Sequence, residues 1–204
     1  MQQEQGLPNE ASLLQCALAS IQAIDACIIK LWPVHRLDKA TSGLVIFAKS
    51  AKAAADFTPM FSQQEVTKHY IALALGKPKK KQGWVKGDME KGRNGSWLLA
   101  RTQTNPAITQ FTSCAIEVEK KEAKRLYLIK PKTGKTHQIR VALKSIGCPI
   151  LGDTRYKGEK SDRCYLHALA LSFNWQGEIF NFKAEPEQGT WPVLASEELL
   201  AELY

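Results

Sequence analysis

The chain has 204 residues, with 28 Lys and Arg against 20 Asp and Glu, which gives a formal net charge of +8. Hydrophobic residues make up 44% of the chain and charged residues 24%, and this ordinary globular composition excludes intrinsic disorder as the main state. A chain of this size can form a core without disulfides or metal. The basic excess favours a polyanionic partner, with nucleic acid first.

The first part of the chain predicts two helices separated by short strands. Apolar residues recur at helical spacing over 12–24, where Ser12 is a candidate N-cap. Two apolar runs, 27–34 and 44–48, predict strands. A second helix is predicted over 50–63, because this alanine-rich segment begins with a serine that can cap it.

The rest of the chain predicts many strands and one helix. Residues 77–96 are basic and contain glycine, so they predict a loop or insertion. A helix is predicted from Thr136 to Gly147. Strands are predicted at 68–75, 97–101, 107–118, 125–130, 164–173 and 179–183. Many strands with few helices indicate an α+β fold with a mixed, largely antiparallel sheet and flanking helices.

The positive charge is concentrated in the middle of the chain. Residues 77–101 hold eight basic and two acidic residues, a balance of +6, and residues 120–163 hold thirteen and four, a balance of +9. Residues 1–34 and 174–204 are net acidic, at −2 and −5. Solvated surfaces would also account for such charges, but the asymmetry predicts a surface in mid-chain that binds a polyanion.

The five cysteines are widely spaced, with no CxxC pair. This pattern argues against a zinc site or a disulfide framework and favours a reducing compartment. The first residues lack the basic and apolar regions of a signal peptide, and the apolar runs are too short to span a bilayer. We therefore expect a cytoplasmic protein without metal and without membrane association.

The segment His35-Arg-Leu-Asp-Lys-Ala-Thr-Ser-Gly43 is the first candidate for chemistry. It places Asp38 in a polar turn between Arg36 and Lys39, next to a buried strand. An aspartate in a turn often only caps backbone N–H groups. A protein kinase is excluded, because the glycine-rich loop, the DFG motif and the metal-binding asparagine are missing.

The segment Lys132-Thr-Gly-Lys-Thr-His-Gln-Ile-Arg140 is the second candidate. It feeds a glycine turn into a helix but is not a Walker motif. Arg140 lies beside the apolar face of that helix and needs an anionic partner, because an unpaired buried charge is very unfavourable. Asp38 is the natural candidate, whereas the dipeptide Gly152-Asp153 favours a turn.

Four segments together resemble the RluA-type family of RNA pseudouridine synthases. They are HRLDKATSGLVIFAKS, KHYIALALG, TGKTHQIRVALKSIGCPILGDTRY and YLHALALSF, and the resemblance runs from about residue 34 to 183. It implies isomerisation of a uridine in structured RNA, in ribosomal or transfer RNA, without cofactor or metal. By this resemblance Asp38 is the catalytic aspartate, acting as nucleophile or base, and Arg140 pairs with it.

The same resemblance implies how the RNA is held. Tyr70 would stack against the target base and is a candidate proton relay, and Leu166 would pack against Tyr70. Ile139 would contact the substrate. Arg36 would enter the RNA stack where the target base has flipped out, a movement that sacrifices stacking.

The resemblance also suggests a domain division. Residues 1–33 lack the Lys-Pro-x-Gly strand that is usual in relatives, so they are expected to be an atypical N-terminal segment. Residues 34–204 are expected to form the catalytic domain, without a separate N-terminal RNA-binding domain and as a monomer.

Two other functions stay open at the level of sequence. One is an RNA-binding module that keeps the fold with little or no catalysis. The other is an acid/base hydrolase that uses Asp38 and His137, although the chain has no nucleophile elbow or paired carboxylates. Intact Asp38, Tyr70 and Arg140 favour the isomerase.

Overall fold

The computed structural model describes residues 12–116 and 124–192 of the chain. These residues form two compact units, the smaller comprising 12–36 and 45–63 and the larger 37–44, 64–116 and 124–192. The predicted strand end at 117–118 lies outside the described residues.

The smaller unit combines two helices with a short antiparallel ladder. Its elements are α1 (Leu13–Gln22), β1 (Trp32–Pro33), β3 (Phe47–Ala48) and α2 (Ala51–Ser62). Ser12 forms a capping box with Gln15 at the start of α1, and Ser50 caps α2. Both predicted helices are therefore confirmed, and in each a side-chain oxygen accepts a backbone N–H of the first turn.

The two predicted strands of this region are wrong over most of their length. At 27–34 only the last part of the run is a strand, because Asp25 holds the N–H groups of Cys27 and Ile28 in a turn. At 44–48 the ladder is limited to β3, because the N–H of Ile46 donates to His35 Nε2 at 2.9 Å instead of to a strand partner.

The larger unit is dominated by a seven-stranded sheet. The elements of this unit are β2 (Ser42–Gly43), β4 (Thr67–Leu75), β5 (Gln82–Gly87), β6 (Met89–Lys91), β7 (Trp97–Leu99), β8 (Ala107–Ala115), β9 (Lys124–Pro131), α3 (Gln138–Ser145), β10 (Leu166–Trp175) and β11 (Glu178–Lys183). Strands β6 and β7 pair only with each other, in a separate ladder. The strands follow the order β11-β10-β4-β9-β8-β5, all antiparallel, and β2 pairs in parallel with β10. The α+β fold with a mixed, largely antiparallel sheet is confirmed.

The loop predicted at 77–96 is wrong, because the segment contains β5 and β6. In β5 the outward positions are Gln82, Trp84 and Lys86, and the inward positions are Gly83, Val85 and Gly87. Only one of the three inward residues is a bulky apolar one, so the period-two pattern of a strand is nearly invisible in the sequence.

The core of the larger unit lies between the sheet and α3. Tyr127 and Ile129 of β9 and Leu143 of α3 are completely buried in one cluster. This packing fixes α3 against the middle of the sheet and thereby sets the position of the arginine that α3 carries. Among the described residues there is no helix with the length and hydrophobicity needed to cross a membrane.

Candidate active site

The turn that carries Asp38 is held in place by β2, the strand that follows it. The N–H of Thr41 donates to the carbonyl of Asp38 at 2.8 Å, and β2 then pairs with His167 and Ala168 of β10. Gly43 has φ 107°, and a side chain at this position would overlap the backbone of Ala168. Glycine is therefore required here, and the close backbone contact holds the Asp38 turn against β10.

Ser42 provides a second attachment for the same turn. Its Oγ lies 2.9 Å from His167 Nδ1 and accepts a hydrogen bond from Arg163 Nη2 at 2.6 Å. His167 Nε2 lies 2.8 Å from the carbonyl of Ala184, so the ring is a satisfied structural histidine. Burial lowers the pKa of His167, which keeps the ring neutral at pH 7.

Arg140 is held by a buried carboxylate. Its Nε and Nη2 donate to the two oxygens of Asp153, each at 2.8 Å. The side chains are 7% and 1% exposed, and the Cζ of Arg140 lies 5.0 Å from the ring centroid of Tyr156. A bidentate pair of this kind fixes the plane of the guanidinium group as well as its position.

Asp38 approaches the remaining nitrogen of the same guanidinium. Its Oδ2 lies 3.5 Å from Arg140 Nη1, and its side chain is 18% exposed. The sequence-based pairing of Asp38 with Arg140 is therefore geometrically available, but Asp153 is the closer partner. The turn predicted at Gly152-Asp153 is present. The carboxylate of Asp153 also binds Arg140.

The two carboxylates shift the pKa values of the groups around them. Burial acts to lower the pKa of Arg140, but the hydrogen bonds and charge of Asp153, with Asp38, raise it above its ordinary value. Burial and the charge of Asp38 raise the pKa of Tyr70 to about 12. At neutral pH the site therefore combines a permanent cation and a neutral phenol with the partly exposed side chain of Asp38.

Tyr70 and Leu166 share one face of neighbouring strands. Tyr70 lies opposite Ala168 in the β4–β10 ladder, and Leu166 lies opposite Ala72. Leu166 is therefore the diagonal neighbour of Tyr70, a position within reach of an aromatic ring. Both side chains are at least nine-tenths buried in the same cluster.

The other two predicted substrate contacts differ in environment. Ile139 precedes Arg140 on α3 and is 7% exposed within the core cluster. Arg36 is exposed and is the last residue of the first segment of the smaller unit.

His137 contacts Tyr156, whose ring lies against the guanidinium of Arg140. His137, at the start of α3, has φ 57°, and its Nδ1 lies 2.7 Å from the hydroxyl of Tyr156. That hydroxyl also accepts the N–H of Trp97 at 2.9 Å. Burial and the charge of Arg140, among other cations, lower the pKa of His137, while Asp38 and Asp153 oppose this effect. The histidine is thus engaged with Tyr156, as a structural role predicts.

Asp153 and Tyr156 were not predicted as partners of Arg140. One signal could have pointed to the aspartate: residues 120–163 contain only four acidic residues among thirteen basic ones, so a buried arginine there has few candidate anions. Among the described residues, no group of three or more His, Cys, Asp or Glu is arranged to hold a metal ion.

Comparisons with known proteins agree on one family. The model of the family described as RNA pseudouridylate synthase matches residues 28–145. An uncharacterized RNA pseudouridine synthase of Haemophilus influenzae is 49% identical over 174 residues, which are 84% of this chain and 76% of that protein. Ribosomal large subunit pseudouridine synthase C of Rickettsia bellii is 36% identical over 163 residues, 74% of this chain but only 52% of the relative.

Solved structures show the same fold. Human RNA pseudouridylate synthase domain containing 1 superposes with a TM-score of 0.70 at 23% identity, covering 87% of this chain and 78% of that one. Human RNA pseudouridylate synthase domain containing 4 gives a TM-score of 0.69 at 24% identity, covering 83% and 77%.

Proposed function

The chain belongs to the RNA pseudouridylate synthase family, and from this membership we propose that it isomerises a uridine to pseudouridine in structured RNA. The reaction breaks the bond between uracil N1 and ribose C1′ and forms a bond between C5 and C1′. The proton on C5 is lost and N1 gains one, so the product has the same atoms as the substrate. Asp38 is the reacting carboxylate, as nucleophile at the ribose or as base.

One observation carries this assignment: Arg140 binds two carboxylates in different ways. Asp153 occupies Nε and Nη2 at 2.8 Å, while Asp38 lies 3.5 Å from Nη1 and is partly exposed. The cation attracts both, but only Asp38 has surface left for a substrate. A long, partly solvated ion pair can loosen to let a carboxylate react and can then reform.

The target uridine must leave the RNA stack to reach this carboxylate. Tyr70 provides an aromatic surface for the flipped base, with Leu166 supporting its ring and Ile139 closing the pocket. Since the pKa of Tyr70 is raised to about 12, its hydroxyl is protonated at neutral pH and can donate to the substrate. Arg36 fills the gap in the RNA, where a planar guanidinium stacks well on bases.

The basic segments 77–101 and 120–163 supply the phosphate contacts, with an affinity that falls as salt rises. We also propose that the reaction uses no metal or cofactor and that the chain acts as a monomer. We expect it to act in the cytoplasm, on ribosomal or transfer RNA. The name of the Rickettsia relative makes large-subunit ribosomal RNA the first candidate.

The experiment is a map of pseudouridine in cellular RNA with and without this protein. We expect one or a few sites to disappear on deletion, to return with the wild-type chain and to stay absent with Asp38→Asn. A map that is unchanged by deletion, together with retained RNA binding, would instead favour an RNA-binding module without catalysis.

A further inference from the structure

The outward face of the large sheet carries a row of polar and aromatic side chains. Trp84 of β5 lies opposite Gln110 of β8, which lies opposite Lys130 of β9. Lys130 follows Ile129, the partner of Tyr70, so the next residue in the row is His69 of β4. With strands about 4.8 Å apart, the row extends over roughly 14 Å.

This row is on the side of the sheet opposite to Tyr70. His69 and Tyr70 are consecutive in β4, and consecutive strand residues point to opposite faces. Phe111 and Ile129, in register with Tyr70, share their face with Thr109, whose hydroxyl accepts a hydrogen bond from Gln138 of α3 at 3.0 Å. The row therefore does not belong to the site around Asp38.

The row forms part of a pocket. Its volume is about 330 Å³, at the lower end of the range for small-molecule sites. The residues that line it belong to four adjacent strands: His69, Gln82, Gly83, Trp84, Gln110, Phe111, Thr112, Leu128 and Lys130.

Trp84 is the exposed aromatic surface of this pocket. Its side chain is 50% exposed, and Lys86 Nζ lies 5.4 Å from its ring centroid. Leaving half of an indole in water is unfavourable, and an indole beside a cation is the combination that proteins use to stack a base next to a phosphate.

His69 is a buried histidine with one ring nitrogen that has no hydrogen-bond partner. It is 3% exposed, and its Nε2 has no hydrogen-bond partner. Burial, together with the charges of Lys130 and Lys132, lowers its pKa to about 4, so the ring is neutral at pH 7. An unsatisfied buried nitrogen that lines a pocket favours a ligand that brings a polar group to it.

We propose that this sheet face is a second RNA contact, which takes an unpaired nucleotide of the RNA outside the reacting uridine. The base stacks on Trp84, and its polar edge faces Gln110 and His69. The phosphate groups lie near Lys86 and Lys130. The proposal rests on the proposed function for its RNA partner, but it does not depend on catalysis.

The probe for this site is a fluorescein-labelled oligoadenylate of ten nucleotides, which contains no uridine to react. Trp84→Thr removes the aromatic ring but keeps strand propensity, and it should weaken binding of the probe to the full chain at least about fivefold. Trp84→Phe should keep most of the affinity. Phe182→Ala is the matched control, because Phe182 is 48% exposed on β11 at the other edge of the sheet, and it should bind as the wild type does.

Equal affinity of Trp84→Thr and the wild type would overturn the proposal, and so would an equal loss in Phe182→Ala. Should Trp84→Thr fail to fold, Gln110→Glu places a negative charge in the middle of the row, and unchanged binding by that variant would also overturn it. Pseudouridine formation is measured separately on uridine-containing RNA. Its absence, with binding of the oligoadenylate through Trp84 intact, would refute the proposed function and leave the second contact standing.

Discussion

The turn of Asp153 and the turn of Asp38 approach one guanidinium from two parts of the chain. Asp153 is 1% exposed and makes two hydrogen bonds of 2.8 Å to Arg140. Asp38 is 18% exposed and makes one ion pair of 3.5 Å. Two carboxylates with the same partner therefore differ in burial, in geometry and in access to solvent.

Under the proposed function, this difference separates a structural role for Asp153 from a reactive role for Asp38. A bidentate buried pair keeps its geometry, and breaking it leaves an uncompensated charge. A single longer contact at the edge of the core leaves oxygen atoms accessible to a substrate. Asp153 thus holds Arg140 in place, and Arg140 in turn orients Asp38.

Asp153→Asn should give the largest loss of stability. It removes the charge that balances a buried guanidinium, so the free energy of unfolding should fall by about 3–5 kcal/mol, measured by urea denaturation. Glu65→Gln, which alters an exposed carboxylate, is the control and should change stability by less than about 0.5 kcal/mol. If Asp153→Asn were as stable as the control, Asp153 would not be the anchor of Arg140.

Tyr70→Phe should reduce the rate with little effect on folding. The ring and its packing remain, but the hydroxyl with its raised pKa is lost, so we expect the single-turnover rate to fall about 100-fold. Tyr165→Phe is the matched control, because the hydroxyl of Tyr165 accepts the N–H of Thr190. Full activity of Tyr70→Phe would limit Tyr70 to stacking.

The smallest expected effect is that of Asp38→Asn on the pKa of His137, which an NMR titration measures. Its pKa is lowered mainly by burial, and the charge of Asp38 opposes this more strongly than that of Asp153. Asp38→Asn should therefore lower the pKa of His137 further. An upward movement would show that Asp38 does not act on this ring as an anion.

The lowered pKa of His137 also has a consequence for stability. The unfolded chain binds a proton near pH 6.5, while the folded protein binds it only at lower pH. The contribution of His137 to stability is therefore fully present above about pH 6.5 and decreases as the pH falls toward the lowered pKa.

Long, strongly patterned elements could be predicted from the sequence. The segment 68–75 became β4, and the helices at 12–24 and 50–63 formed behind serine caps. The short strands β1 and β3 were predicted too long, because their boundaries depend on hydrogen bonds that the apolar pattern does not show, such as that between Ile46 and His35. β5 was hidden by inward glycines.

The candidate site could also be predicted only where the local sequence carries a signal. Asp38, Tyr70 and Arg140 stand in motifs that carry a resemblance, so they could be named before the fold was known. The dipeptide Gly152-Asp153 already predicts a turn, so nothing in the neighbouring sequence indicates that Asp153 has a further contact. The contact between Asp153 and Arg140 depends on how the core packs α3 against that turn. Such long-range packing cannot be predicted from a local sequence pattern.

The most direct test of the division between the two aspartates is the single-turnover rate of Asp38→Asn on an RNA that the wild type modifies. We expect a loss of more than about a thousandfold, with RNA affinity within about threefold and stability within about 1 kcal/mol of the wild type, because Asp153 still holds Arg140. Conversion by Asp38→Asn at a rate near that of the wild type would contradict the assignment of Asp38 as the reacting carboxylate.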